Sequence, residues 1–248
     1  MYKDKVAIIT GGGAGIGLAA AQLLATKGTK VLITGRRTNV LEQIAASYPN
    51  IEGFTADAAD PEAAARTVTE AIERWGRLDI VVNNVGNGSV QPLATTNAQE
   101  INDIFSVNVT APTLLAAAAL PHLEKTKGTI INISSTFGSK ASAGLSIYSA
   151  SKAALEQLTR CWALELAPKG IRVNAIASGP VESDFLRERM GLSEEQINAV
   201  KKQEIRSIPL GRRGVPDDVA RWIVHLADPE SNWITGQVFP VDGGLTIA

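Results

Sequence analysis

A rhythm constrains this chain more than any single motif. Short β-branched runs alternate with Ala-rich segments of helical length over nearly the whole sequence. Strands are expected at 6–10, 30–34, 51–55, 78–82, 128–133, 171–175 and 237–240. Helices are expected at 15–27, 40–47, 61–75, 97–120, 148–167 and 216–227. The strand runs are continuously apolar rather than alternating, which is the pattern of a sheet covered on both faces. Repeated β-α order then predicts an α/β fold, a doubly wound parallel sheet of about seven strands with helices on both faces. Asp60 before Pro61 reads as a helix N-cap with proline at the first helical position. No internal repeat or flexible linker divides the 248 residues, so a single domain over 1–248 is expected.

The span 182–213 breaks the rhythm. It is charged and helix-prone, mixes acidic and basic residues, and ends in Gly211-Arg212-Arg213-Gly214. An insertion of this size after a late strand reads as a lid or substrate loop over the strand C-termini. Elsewhere composition works by exclusion. With 24 Lys+Arg against 25 Asp+Glu, the formal net charge is -1, which argues against nucleic-acid or polybasic membrane partners. One cysteine, Cys161, cannot form an internal disulfide and reads as a small buried hydrophobe. His122 and His225 are the only histidines, both read as structural, and no zinc motif is present, so no metal site is expected. The N-terminal Met1-Tyr2-Lys3-Asp4-Lys5 enters a strand without a targeting signal. The longest apolar stretch, 114–120, is short of a membrane span and meets Pro121. The expected protein is soluble and cytoplasmic.

After the first strand comes Thr10-Gly11-Gly12-Gly13-Ala14-Gly15-Ile16-Gly17. A glycine-rich turn between strand and helix lets backbone approach a pyrophosphate, and the helix N-terminus offers free N–H groups and the positive end of its dipole. Gly11, Gly13, Ala14, Gly15, Ile16 and Gly17 are thus candidate dinucleotide contacts in a Rossmann-like fold. At the end of the second strand, where NAD sites carry an acidic residue, stands Gly35-Arg36-Arg37. A carboxylate repels a 2′-phosphate, whereas guanidinium groups bind it. NADP(H) is therefore favoured over NAD(H).

Tyr148 and Lys152 are four residues apart and share a helix face. An ammonium near a phenol favours phenolate and is expected to lower the tyrosine pKa toward the range useful for acid–base work. Ser135, at the end of the fifth strand, is a candidate to hydrogen-bond a substrate carbonyl. Strand alternation turns Ser134 the other way.

Taken in order, these motifs resemble the short-chain dehydrogenase/reductase family in its compact form. The resemblance runs through Thr10–Gly17, Asp57, Asn83-Asn84-Val85-Gly86, Asn108, Ser135, Tyr148, Lys152, the span from Gly179 to Ser183, and Val241-Asp242-Gly243-Gly244. It implies that Tyr148 is the general acid or base and that Lys152 holds the nicotinamide ribose. It also implies that Ser135 orients the substrate oxygen and that Asn108 holds a relay water. Asp57 and Ala58 would meet the adenine, Asn84 and Gly86 would bound the cofactor channel, and Val181 and Ser183, after Gly179, would meet the carboxamide. A homotetramer or homodimer is also implied, with the Ala-rich 116–119 helix and the Tyr148 helix at an interface. Val85 replaces the family's usual alanine and is expected to crowd the cofactor. Ser178 stands where proline is usual, and Ser183 replaces a commoner threonine.

The expected function is NADP(H)-dependent reduction of a small-molecule ketone to an alcohol, reversibly. A 3-oxoacyl-carrier-protein reductase and a sugar or polyol dehydrogenase are the alternatives. A non-catalytic dinucleotide-binding redox sensor is a remote one.

Overall fold

The computed structural model describes residues 2–248; Met1, where the N-terminal segment was read for a targeting signal, lies outside the described residues. Seven strands form one parallel sheet: β1 (Val6–Thr10), β2 (Lys30–Gly35), β3 (Ile51–Thr55), β4 (Ile80–Asn83), β5 (Thr129–Ser135), β6 (Arg172–Ser178) and β7 (Val238–Val241). Their order is β3-β2-β1-β4-β5-β6-β7, so the winding reverses between β1 and β4. The α-helices are α1 (Gly15–Thr26), α2 (Thr38–Ser47), α3 (Ala63–Trp75), α4 (Ala98–Phe105), α5 (Ala111–Thr126), α6 (Ser146–Leu166), α7 (Phe185–Glu188), α8 (Glu194–Ser207) and α9 (Pro216–Ala227). The architecture is the Rossmann-like α/β fold that the alternation demands.

Neighbouring residues of β1 show why its run is continuously apolar. Ala7 and Ile9 enter the core shared with α1 and α9, while Val6 and Ile8 enter the core shared with α3 and α5. Each fully buried isoleucine contributes roughly 1.5–3 kcal/mol relative to exposure.

Several boundaries differ from expectation, each for a visible reason. β5 and β6 run on to Ser135 and Ser178, because parallel pairing continues through Ser134↔Ala177 and Ser135↔Ser178. Polar residues at these strand ends belong to the site rather than to a loop. α3 starts at Ala63 rather than Pro61: Asp60 does accept the Glu62 N–H at 3.0 Å, but across a turn that precedes the helix. The single helix expected at 97–120 is α4, a π turn over Ser106–Thr110, and α5. Asn97 caps its start by accepting the Glu100 N–H at 3.0 Å.

Pro121 does not end α5. A proline deprives the carbonyl four residues earlier of its partner, yet Ala117 and Pro121 are both exposed, on the side of the helix away from the core. The continuous run Ala98–Thr126 has 29 residues and is long and apolar enough to cross a membrane by length and composition. That corrects the shorter apolar stretch read from sequence. Leu115, Ala116, Ala119 and Leu123 of this run are buried in the core. Cys161 is exposed, against expectation. It lies on the face of α6 opposite Leu155, Thr159, Ala163 and Leu166, which take the buried positions.

The first β-α crossing depends on one close approach. A Cβ on Gly17 would lie 2.5 Å from both Asn84 Nδ2 and the Gly11 carbonyl oxygen. We expect Gly17→Ala to lower unfolding stability by about 1–3 kcal/mol, as overpacking does elsewhere. Urea titration checks this; an unchanged midpoint would show that the turn yields without cost.

Candidate active site

Where the winding reverses, the turns after β1 and β4 are sewn together. The Asn84 and Val85 N–H groups donate to Thr10 Oγ1 at 3.0 and 3.1 Å, and Asn84 Nδ2 donates to the Thr10 carbonyl at 2.8 Å and the Gly11 carbonyl at 3.2 Å. Gly11 takes φ +65°, which a side chain would strain. Asn84 therefore builds the glycine turn as well as lining the space above it.

That space is one cavity of about 1330 Å³, larger than the roughly 300–1,000 Å³ of an ordinary small-molecule pocket. Its nucleotide end is lined by Gly11, Gly13, Ala14, Gly15, Ile16, Gly35, Arg36 and Arg37. Its centre is lined by Asn84, Gly86, Ser135, Tyr148, Lys152, Gly179, Val181 and Ser183. These residues fit a dinucleotide. The N-terminus of α1 has neither a side-chain cap nor an acidic residue in its first turn, so its N–H groups and dipole are free for a phosphate.

Five residues taken from sequence stand outside the lining. Gly17 is buried under Asn84. Asp57 is exposed and accepts the Ala59 N–H at 3.0 Å, while Ala58 lines a separate void of about 30 Å³. Val85 lines that same void with Pro112 and Leu115. Asn108 is buried in the π turn, and its side chain is fully engaged. Oδ1 accepts the Asn87 N–H at 2.8 Å, and Nδ2 donates to the Asn87 carbonyl at 2.8 Å and to Ser151 Oγ at 2.9 Å. The Asn108 amide thus clamps the Asn87 backbone next to Gly86.

Gly179 allows β6 to close on the turn after β7, since a Cβ there would lie 2.6 Å from Asp242 Cα. The displaced proline, Pro180, accepts the Gly214 N–H at 2.9 Å and so helps close the base of the insertion.

Helix α6 carries the polar centre. Lys152 Nζ donates to the Ile133 carbonyl at 2.9 Å and lies 5.9 Å from the centre of the Tyr148 ring. Ser135 Oγ accepts the Phe137 N–H at 3.2 Å, whereas Ser134 turns away and donates to Glu156 Oε1 at 2.8 Å. Burial pushes the Tyr148 phenol above its ordinary pKa, with the Ser135 side chain acting the other way. The expected lowering by Lys152 is not what this site does. Lys152 is itself buried, and that burial pushes its ammonium down to about 8, opposed by Glu156. Burial also raises the Glu156 carboxyl, with Ser134, Arg160 and Lys152 pulling it down.

The insertion is held at its base. Val181 and Gly214 form an isolated parallel bridge, and the Glu182 N–H donates to the Gly214 carbonyl at 2.9 Å. Arg213 is buried there, donating to the Val181 carbonyl at 2.7 Å and pairing with Glu182 at 2.9 Å and with Glu204. From this base α7 and α8 reach over the cavity, with Phe185 6.3 Å from the Tyr148 ring. Sequence reasoning missed the Asn87, Ser151, Glu156 and Arg213 contacts. Polar residues on the buried face of α6 were the available signal.

A family model described as enoyl-(acyl carrier protein) reductase matches residues 11–246. An uncharacterized oxidoreductase from Mycobacterium tuberculosis is 41% identical, with 98% of this chain and 92% of that protein covered. A 3-oxoacyl-[acyl-carrier-protein] reductase from Thermotoga maritima is 33% identical over 99% of both chains. The crystal structure of a 3-ketoacyl-(acyl-carrier-protein) reductase from Brucella melitensis complexed with NADH superposes with a TM-score of 0.91 at 31% identity, covering 100% of each chain. Together with the winding and the Ser135–Tyr148–Lys152 centre, this places the chain in the short-chain dehydrogenase/reductase family. It is an oxidoreductase of that family, whose members bind a nicotinamide dinucleotide.

A depressed lysine pKa has a stability signature. The folded value near 8 lies below the ordinary 10.5. Folding therefore carries its full penalty below pH 8, where both states hold the proton, and releases a proton only between about pH 8 and 10.5. The penalty fades as the pH rises through 10.5. The melting temperature of Lys152→Met relative to wild type should therefore be most favourable near pH 7 and decline steadily between about pH 8 and 10.5. A pH-independent difference would sink this assignment.

Proposed function

We propose that the protein is an NADP(H)-dependent reductase of a small, largely apolar ketone, working reversibly, with residues 1–248 as one dinucleotide-binding and catalytic unit. The observation that carries this reading is that Ser135, Tyr148 and Lys152 line the same cavity as Val90, Phe137, Leu145, Phe185 and Met190. Ser135 hydrogen-bonds the carbonyl oxygen and orients it. The Tyr148 hydroxyl gives that oxygen a proton, and its raised pKa keeps the phenol protonated in readiness for reduction. Lys152 holds the nicotinamide ribose beside Tyr148. A nicotinamide dinucleotide, when bound, supplies the hydride. Asn108 acts through its side-chain amide, which fixes the Asn87 backbone next to Gly86.

The preference for NADP(H) rests on Gly35-Arg36-Arg37 at the nucleotide end, where no carboxylate follows β2 directly. The Brucella relative was crystallised with NADH, so this preference is a statement about the residues of this chain. A 3-oxoacyl thioester is the second substrate class to test, because two relatives carry that name. Docking of an acidic carrier protein gains little support from the insertion. Arg212 is bidentate to Asp218 at 2.7 and 3.1 Å, and Arg213 is buried. A homotetramer is in keeping with Leu164, 81% exposed on the outer face of α6.

Tyr148→Phe should retain NADPH binding and lose nearly all turnover across a panel of ketones and 3-oxoacyl thioesters. NADPH binding by the wild type without turnover on any carbonyl would support a sensor instead. Gly35→Asp combined with Arg36→Ala should move kcat/KM toward NADH by tenfold or more, about 1.4 kcal/mol. An unaltered NADPH/NADH ratio would refute the phosphate reading.

A further inference from the structure

At the nucleotide end of the cavity the charges do not balance. Arg36 and Arg37 arrive from the end of β2, and Arg189 arrives from the insertion, directly after α7. Arg37 Nη1 lies 3.1 Å from Glu188 Oε1, with both side chains about half exposed, at 51% and 43%. Arg189 is partly buried and makes no ion pair among the described residues. Burial disfavours its charge most, and Arg36 comes next; Glu188 opposes them, Arg37 adds to them, and Asp57 opposes more weakly. Asp57 already accepts the Ala59 N–H. Three guanidinium groups thus share one paired carboxylate and one committed one, on the wall of an open cavity.

Two guanidinium groups on the sheet and a third on the insertion suit a compact dianion better than a carboxylate. A phosphomonoester carries about -1.5 to -2 charges near neutrality and three acceptor oxygens, which match planar donor forks. We propose that Arg189 is the third cation of a site for the 2′-phosphomonoester of the adenosine ribose, and that Glu188 is its internal competitor for Arg37. The proposal rests on the NADP(H) reading above and extends it to the insertion. Adjacent residues of one loop act in opposite senses. Phosphate displaces Glu188 from Arg37 and draws in Arg189, so the cofactor's phosphate itself orders the segment that carries Phe185 to the substrate side of Tyr148. Cofactor choice and closure over the substrate then become one event.

The test uses the full chain and fragments that contain no nicotinamide: adenosine 2′,5′-bisphosphate, 5′-AMP and inorganic phosphate, with affinities from calorimetry. Wild type should bind the bisphosphate more tightly than 5′-AMP. Arg189→Ala should weaken the bisphosphate about tenfold, the scale of one lost charged hydrogen bond, and leave 5′-AMP within about twofold. Glu188→Gln should tighten the bisphosphate, an independent readout that does not require removal of an arginine. Limited trypsin cleavage within 187–202 should be slowed by the bisphosphate and not by 5′-AMP.

If wild type does not discriminate the two nucleotides, the NADP(H) reading falls and this proposal with it. If Arg36→Ala abolishes discrimination while Arg189→Ala leaves it intact, the cofactor reading stands and the role of Arg189 is overturned. Equal weakening of both nucleotides by Arg189→Ala also overturns it. Inorganic phosphate slowing trypsin as well as the bisphosphate does would overturn the assignment to an adenosine-linked phosphate.

Discussion

The docking of α6 on β5 is the contact on which the rest of the site depends. Apolar packing alone would leave the helix free to slide along the sheet, since one buried methyl group substitutes well for another. Here three polar contacts, spaced along the buried face of α6, set the register. Lys152 donates to the Ile133 carbonyl, Glu156 accepts from Ser134, and Thr159 Oγ1 accepts from Asn132 Nδ2 at 2.8 Å. Asn132 Oδ1 in turn accepts from Asn83 Nδ2 at 2.8 Å, which extends the tie to β4. Buried polar groups without partners are costly, so a one-turn slip would break several contacts at once. The position of Tyr148 relative to Ser135 follows from this lock. Gly138 completes it, because a Cβ there would strike Glu156 Oε1 at 2.2 Å.

The same lock shows where sequence reading succeeds and where it stops. Strand and helix placement were legible because they follow from periodicity, and periodicity records which face is buried. The ends of β4, β5 and β6 were not, because Asn83, Ser134, Ser135 and Ser178 resemble loop residues until the neighbouring strand is known. The glycine turn was legible as a tight turn from strand to helix, yet the close approach of Gly17 to Asn84 joins residues far apart in the chain. Asn108 was marked by family likeness, while its partner Asn87 carried no sequence signal. Cys161 was misplaced because α6 is long and its buried stripe is narrow. The sense of the Tyr148 shift also escaped sequence reasoning, which counted the neighbouring ammonium but had no measure of how dry the site is.

Electrostatics divides the cavity into two regimes. Around Tyr148 and Lys152 burial is the leading cause, and it weakens the charged form of each group. Around Arg36 and Arg37 the side chains are exposed, and charge number rather than desolvation sets the character of the wall. A dry end suits the movement of a proton and a hydride. A wetter, positive end suits the capture of an anion from solvent. One cavity accommodates both because the sheet holds the two ends apart on different strands.

The clamp at Arg213 has a consequence for how such a chain can change over time. Because Val181 and Gly214 are bridged, the chain leaves and re-enters the sheet region at nearly the same point, and everything between them is a loop tied at its neck. Within that loop Ile208, Pro209 and Leu210 are seated against Gly243 and Gly244 after β7, which leaves α7 and the start of α8 as the part least tied to the sheet. The part of the cavity lining contributed by α7 and α8 can change there while Ser135, Tyr148 and Lys152 stay still. The knot, rather than the loop, is the part that has to be kept.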